Sequence, residues 1–458
     1  MNVRPQRLVE HILDRSTSEH CIAIVSDSTS ANLRWANNTL TTNGVMHSVD
    51  VTVIAFQGNG NASVSGNTAT LDQVNALVDQ AGAAAAVADA AEDRADLVEG
   101  QAAEDWEDGP ADTSIQVFET FAEELGDAFG QAEAESRILY GFVFHEVSTT
   151  YLGSSTGLRL RHVQPTGHYG CTGKDAALTN SAWVGGATRD FADVSAARMA
   201  ADLTTRLSWG ERRIDLPAGR YDTVLPPSAV ADMLVYAYWE AGARSAHDGQ
   251  TVFSKPGGGT RIGEELVAPG IRLWSDPSYA GLETAPFVVA GASSDRSSVY
   301  DNGVPICPTS WIDRGRLTAL HQTRHTAEMT GQPNTPAIDN LVLDIDGATG
   351  TEADLVGGLD DGLLLTCMWY IREVDPQTLL LTGLTRDGVY RVEGGEITGA
   401  VNNFRYNESP IDVLTRHTHA SETVPSFSRE WGEDFFSRTA TPALRVPDFN
   451  MSSVSQAL

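Results

Sequence analysis

After the glycine cluster Gly257–Gly259 the chain returns seven times to an apolar run, at Ile271–Trp274, Pro286–Ala290, Leu341–Ile345, Leu363–Glu373, Leu379–Leu384, Gly388–Val392 and Glu396–Val401. Runs of this kind, bounded by Gly, Pro, Asn and Asp, are strand signals, and most are too short for a helix. A chain so written must close much of its second half as sheet. The composition changes around Ser208–Pro217, and we place a β-rich domain from residue 212 to 458. Its main helical exception follows a short strand, Tyr221–Leu225. It starts at Pro226–Pro227–Ser228, where proline suits the first helical turn, and runs towards Ser245.

Residues 1–211 read differently. Leu8, Ile12 and Leu13 have helical spacing, and Ile22 to Val25 is β-branched. Val49, Val51, Val53 and Ala55 alternate, the polar turn Gly58–Asn61 interrupts them, and Val64 resumes, so Val45 to Ser65 is expected to be a hairpin. A helix is expected over Leu71–Ala90, strands over Ile138–Val147 and Gly157–Val163, and a helix over Val194–Leu207. The expected fold class is α+β: an N-terminal α/β domain of sheet plus helices, then the β-rich domain. No internal repeat is visible. A length of 458 residues suits two such units at roughly 100–200 residues each.

Charge narrows the partners. With 61 acidic and 31 basic residues the net charge is −30, and a chain this acidic repels phosphate, so nucleic acid is excluded. No apolar stretch approaches the roughly 20 residues of a membrane helix, and Met1–Glu10 has no secretory pattern, so a cytoplasmic protein without membrane contact is expected. Cys21, Cys171, Cys307 and Cys367 stand far apart, as reduced, mostly buried thiols would. Residues 89–135 hold sixteen acids and only Arg94 as a base. We expect a solvated acidic insertion there, with a helix at Ile115–Phe129.

Several motifs fail on context. Gly153-Ser154-Ser155-Thr156-Gly157 matches G-x-S-x-G, but the alternating Leu158–Val163 that follows is a strand pattern, so Ser155 lacks the helix of a nucleophile elbow. His145-Glu146 has no second histidine at helical spacing. His321 with His325, and His417 with His419, have no neighbouring carboxylate or thiolate motif to complete a metal site.

One segment is more specific. Met233–Arg244 contains Trp239-Glu240-Ala241-Gly242-Ala243-Arg244, and after a loop comes Gly258-Gly259-Thr260-Arg261-Ile262-Gly263. This resembles the TldD/PmbA family, whose members come as two related subunits, TldD and TldE (PmbA). The zinc-bearing TldD type carries H-E-x-x-x-H on this helix, ahead of a loop ending in R-I-G. On that pattern Trp239 takes the first histidine position, Glu240 the glutamate and Arg244 the second histidine. Neither an indole nor a guanidinium has a lone pair to give a metal. The stretch Glu430–Thr439, where the family's zinc subunit has a cysteine, has none here. Ser30–Asp50, with Trp35-Ala36-Asn37-Asn38-Thr39-Leu40, resembles the family's N-terminal strand pair, and Leu379–Phe404 resembles its C-terminal hairpins.

The resemblance implies a TldE-like, zinc-free and non-catalytic chain. Its partner would be a TldD-like zinc metallopeptidase subunit, and the heterodimer would degrade or process small or unfolded peptides, among them natural-product precursors. No cofactor is expected in this chain; zinc is expected in the partner. Trp239, Glu240 and Arg244 form a degenerate site, with Arg244 expected to pair with Glu240 or another acid. Arg261, Gly263, Asn402 and Asn403 are candidate channel contacts. A homodimeric peptide-binding protein without hydrolytic activity is the alternative.

Overall fold

The computed structural model describes residues 3–68, 70–432 and 438–455. Six antiparallel strands, β1 (His20–Ala36), β2 (Thr39–Gln57), β3 (Gly60–Asn67), β4 (Arg137–Ser154), β5 (Arg159–Asp175) and β6 (Ser181–Thr188), form a sheet in the order β3-β2-β1-β4-β5-β6. The first hairpin turns on Asn37 and Asn38, both at positive φ (51° and 57°), a conformation that a two-residue turn of this twist requires and asparagine tolerates. The strands outrun the apolar segments that signalled them. β1 passes straight through Ser26–Ser30, where hydroxyls pair across the sheet, as in Ser28 Oγ to Ser148 Oγ at 2.8 Å. Such cross-strand polar pairs hold a sheet without leaving a hydropathy signal.

Four helices cover one face of this sheet: α1 (Pro5–Arg15), α2 (Leu71–Ala85), α3 (Glu119–Ala134) and α4 (Ala196–Trp209). Cys21, Ala23 and Val25 of β1 meet α1 and α2, and Ala31, Leu33 and Trp35 meet α3 and α4. The helix expected to Ala90 stops at Ala85, the last of the inward residues Val74, Val78, Ala81 and Ala85. Beyond it the chain turns, and Ala88 seats against Gly60, where an added Cβ would lie 3.0 Å from the Ala88 side chain.

The acidic segment is exposed along most of residues 89–114, and the helix expected at Ile115–Phe129 is present as a 3-10 turn, Ile115–Phe118, that leads into α3, but the segment also contributes to the core. Beneath the acids, Phe118, Phe121, Leu125, Ala128 and Ala132 are buried on α3 and its leading turn, and Trp106 is buried edge-on against Tyr151. Charge occupies only the outer face of an element that completes the core.

The opposite sheet face packs through Ile22, Ile24, Ile54 and Phe56 onto Phe287, Val299 and Tyr300 of the second half. That half has short strands: β7 (Arg213–Ile214), β8 (Gly219–Leu225), β9 (Ile271–Ser275), β10 (Thr309–Asp313), β11 (Arg316–Leu317), β12 (Leu341–Ile345), β13 (Asp361–Leu365) and β14 (Met368–Asp375). They continue as β15 (Leu380–Thr385), β16 (Val389–Glu393), β17 (Glu396–Val401), β18 (Phe404–Glu408), β19 (His419–Ala420), β20 (Val424–Ser426), β21 (Thr439–Thr441) and β22 (Leu444–Val454). One sheet runs β14-β15-β18-β22-β8-β13-β16-β17-β7 with β19 beside β22, the other β11-β10-β9-β12-β21-β20. The α+β class holds.

Helix α5 (Pro227–Trp239) contacts β8 of one sheet and β20 and β21 of the other, and is apolar nearly all round, as burial from both sides requires. Three expectations need correction. The helix does not run on to Ser245: the Ala241 carbonyl accepts from His321 N (2.8 Å) and Ala243 N donates to the His321 carbonyl (3.0 Å). This pairing diverts both groups from helical bonding, and a separate short α6 (Ala243–His247) follows. Pro286–Ala290 forms a bridge, Phe287 to Pro305, and not a full strand: Val288 N bonds the Val304 carbonyl and Ile306 N the Pro286 carbonyl, but Pro286 has no N–H to return the second bond. Leu363–Glu373 is two strands, β13 and β14, parted at Thr366–Cys367.

Candidate functional site

The last turn of α5 delivers Trp239 and its cap Glu240, and α6 delivers Arg244, so the three motif positions do not share a helix. Trp239 packs against Tyr236 (ring centroids 5.6 Å) and Trp431 (4.9 Å), a half-buried aromatic wall. Glu240 faces the guanidinium of Arg296 at 3.8 Å. Arg244 turns away from Glu240, to Glu92 (3.0 Å) and Asp248 (3.4 Å). Its expected acid partner is therefore found, but in the acidic segment and one turn along α6. The hydrogen bond to Glu92 pushes its pKa up.

The donor set does not fit zinc. Of the three positions only Glu240 has a ligand atom to offer, and a fixed cation already stands beside it. No group of three or more His, Cys, Asp or Glu among the described residues is placed to hold a metal ion. The stretch 430–439 lies partly outside the described residues, at 433–437.

Two features were not anticipated. The first is Asp232 on α5, fully buried. One carboxylate oxygen accepts from Ser428 Oγ (2.7 Å) and Glu430 N (2.9 Å), fixing the segment that presents Trp431. The other has no hydrogen-bond partner among the described residues. Burial pushes this carboxyl up to about 7. Glu430 is also raised by burial, and Glu373 by burial and then the nearby Glu240. The second is the tether on the Arg296 loop. Asp93 of the acidic segment accepts from Ser293 Oγ and Ser298 Oγ, each at 2.6 Å, while Arg324 Nη1 donates to the Asp96 carbonyl at 3.0 Å. The acidic segment thus positions the cation that answers Glu240. A lone Asp inside an apolar helix was a readable signal for the first feature; nothing local in sequence marks the second.

The candidate channel residues brace their own surroundings. Arg261 donates to the Val252 and Glu265 carbonyls and pairs with Glu264. Gly263 takes φ 92° and its N–H donates to the Leu317 carbonyl. Asn402 accepts from Leu216 N at 2.7 Å, and the Asn403 carbonyl accepts from Ser455 N at 2.8 Å.

Ser155 lies in the turn between β4 and β5, as expected, accepting from Cys21 N at 3.2 Å with His20 Nδ1 at 3.3 Å; no helix follows to build an oxyanion hole. His145, on β4, uses both ring nitrogens, one with Thr113 Oγ1 and one donating to the Arg189 carbonyl. His321 is wedged between Tyr238 and Trp311, and burial pushes its pKa down to about 3, while His325 on a different element, α7 (Arg324–Thr330), approaches Glu92. His417 bonds the Leu414 carbonyl and His419 bonds Thr418. Cys21, Cys171 and Cys367 are buried and Cys307 is exposed; all four are free thiols. No helix among the described residues is long and apolar enough to cross a membrane.

The whole architecture, a helix-backed antiparallel sheet joined to two sheets that sandwich α5, recurs in solved structures. TldE from Thermococcus kodakarensis superposes with a TM-score of 0.79 at 14% identity, covering 97% of this chain and 99% of that one. Two structures titled putative modulators of DNA gyrase are also similar. The protein from Bacteroides thetaiotaomicron gives a TM-score of 0.75 at 12% identity over 98% of each chain, and that from Thermotoga maritima 0.75 at 15% over 97% and 98%. At these identities the likeness is one of fold.

Sequence models supply the family. Residues 218–453 match the PmbA/TldA metallopeptidase C-terminal domain and residues 21–85 match PmbA/TldA metallopeptidase domain 1. The chain belongs to the PmbA/TldD metallopeptidase family, which ties it to proteolysis. A comparison with curated protein sequences finds no match.

Proposed function

We propose that this chain is the zinc-free, non-catalytic subunit of a heterodimeric metallopeptidase acting on small or unfolded peptides, with hydrolysis carried by a TldD-like partner. One observation carries the reading: where the family's zinc subunit presents ligands, this chain presents an indole packed edge-on against Trp431 and two guanidinium–carboxylate pairs. In the partner, zinc would polarise a water for attack on the peptide carbonyl. Here Trp239, Tyr236 and Trp431 form an apolar wall, and Glu240 with Arg296 a neutralised pair, suited to lining a chamber. Arg261, Gly263, Asn402 and Asn403 would hold the surrounding loops in shape. The likeness to a TldE structure supports the same assignment at the level of fold.

The test is to mix the purified chain with the zinc-bearing homologue of the same genome. A stable 1:1 complex that hydrolyses unstructured peptides, with neither chain active alone, is the expected result. Self-association with indifference to that homologue would favour the homodimeric peptide-binding protein. Stoichiometric zinc and unaided cleavage by the isolated chain would overturn the assignment.

A further inference from the structure

The segments that carry Arg296 and Gln322 enclose a cavity of about 190 Å³. One wall is the stretch 285–306; the other is residues 322–339, between the start of α7 and β12. The first wall is fixed by its own hydrogen bonds. Asn302 Oδ1 accepts from Ala290 N at 2.7 Å, and Asn302 Nδ2 donates to the Ala290 and Val299 carbonyls. The Asp93 tether holds Ser293 and Ser298, which flank Arg296 in sequence. With the backbone occupied in this way, the side chains of Phe287, Val288, Ile306 and Pro336 make the lining largely apolar.

The polar side chains of the lining divide into those already spent and those still available. Asp301 is spent: it is buried, and its two carboxylate oxygens accept from Arg324 N at 3.0 Å and Arg324 Nε at 2.7 Å. Thr323 Oγ1 caps α7 by accepting from Thr326 N, and Ser297 Oγ donates to the Ala292 carbonyl. Three groups remain available. Gln322 is only 3% exposed; its amide oxygen accepts from Thr330 Oγ1 at 2.7 Å, while its Nε2 donates to no described residue. A buried amide nitrogen without an acceptor is costly, so this one points to a ligand. The Arg296 guanidinium has only Glu240, at 3.8 Å, beyond hydrogen-bond reach. The exposed carboxylate of Asp339 makes no ion pair or hydrogen bond among the described residues.

We infer that this cavity binds a free amino acid with an aliphatic side chain, its carboxylate held by Arg296 and Gln322 and its ammonium by Asp339. With Asp301 neutralised by Arg324, the lining presents one charge of each sign around an apolar centre. That matches a zwitterion, and it offers too few cations for a phosphate and too few oxygen ligands for a metal ion. The volume agrees. A cavity of about 150 Å³ admits a benzene ring, so this one takes the side chain of a valine or leucine, with its charged end towards the exposed Arg296 and Asp339. The inference deepens the reading of this chain as part of a peptidase and rests on it, since free amino acids are what peptide hydrolysis releases; binding itself needs no hydrolytic partner.

The test is equilibrium dialysis of the intact chain alone against radiolabelled L-leucine. One saturable site per chain is expected, with a Kd under about 1 mM. Leucinamide, which lacks the carboxylate, and N-acetyl-leucine, which lacks the ammonium, are each expected to compete about tenfold more weakly or worse. Arg296→Gln is expected to weaken leucine binding about tenfold and bring it level with leucinamide; Asp339→Asn is expected to do the same relative to N-acetyl-leucine. Both side chains are exposed, so both variants keep the fold. No saturable binding up to about 10 mM leucine would overturn the proposal, as would full binding by both variants. Leucinamide or N-acetyl-leucine binding as tightly as leucine would also overturn it, since one charge then suffices and the occupant is a peptide terminus. Any of these failures leaves the mixing experiment with the zinc-bearing homologue untouched, so the two readings fall separately.

Discussion

The two ends of α5 were built by the same helix and have opposite character. At its C-terminal end rings close on rings, Arg296 answers Glu240 and Arg244 answers Glu92. At its N-terminal end, beside Pro227 and Ser228, a cleft of about 540 Å³ opens between β6 and β20. The difference teaches that one helix can carry a closed cluster at one end and a cleft at the other, and the open end of this molecule lies where no family motif points.

That contrast can be broken by mutation. The largest effect is expected midway along the helix: Asp232→Ala strands Ser428 Oγ and Glu430 N and should cost about 3 kcal/mol in chemical denaturation. Asp232→Asn keeps the accepting oxygen and isolates the charge. Burial holds the native carboxyl neutral up to about pH 7, whereas the unfolded chain ionises it near pH 4. The stability contributed by the neutral form is therefore full below about pH 4 and lost as pH climbs to about 7, so the stability of Asp232→Asn relative to the unmodified chain should rise across that window. A flat difference would show that the carboxyl is ionised in the native state. At the closed end Trp239→Ala should cost about 2 kcal/mol and change the fluorescence of Trp431, its edge-on neighbour.

The smaller expectations sharpen the same contrast. Ala187→Pro at the open end should cost under about 1 kcal/mol, because the pairing register turns the N–H it removes away from β5. Glu92→Gln should cost about 0.5 kcal/mol or less, since that carboxylate is 69% exposed, and the loss should vanish in molar salt. An effect of several kcal/mol from Glu92→Gln would mean that the tether, and not the core, holds the closed end together.

How much of this could be read from the sequence depended on where each signal was stored. The alternation Val49–Ala55 announced a hairpin because one face of β2 is buried there, and β2 and β3 form it. The exposed half of β2, Thr39–Ser48, and the hydroxyl-rich middle of β1 carried no such alternation, so both strands were longer than expected. The charge of residues 89–135 masked Phe118, Phe121 and Leu125, whose spacing is that of a buried helical face. Trp239, Glu240 and Arg244 are legible because they lie within six residues and resemble a motif. Arg296 and Trp431 are not, since only folding brings them beside that motif. The parity of β6 was beyond reach for the same reason: it follows from the pairing register of β4, β5 and β6, which no side-chain pattern encodes.

The acidic tether also joins parts of the chain far apart in sequence. Ala91 N bonds the Asn59 carbonyl in the first sheet's hairpin, while Asp93 and Glu92, two and one residues on, grip the Arg296 loop and α6. A buckle fastened at both ends makes separate melting costly, so the two halves should denature in a single calorimetric step, and cutting the strap by proteolysis near residue 95 should split that step in two.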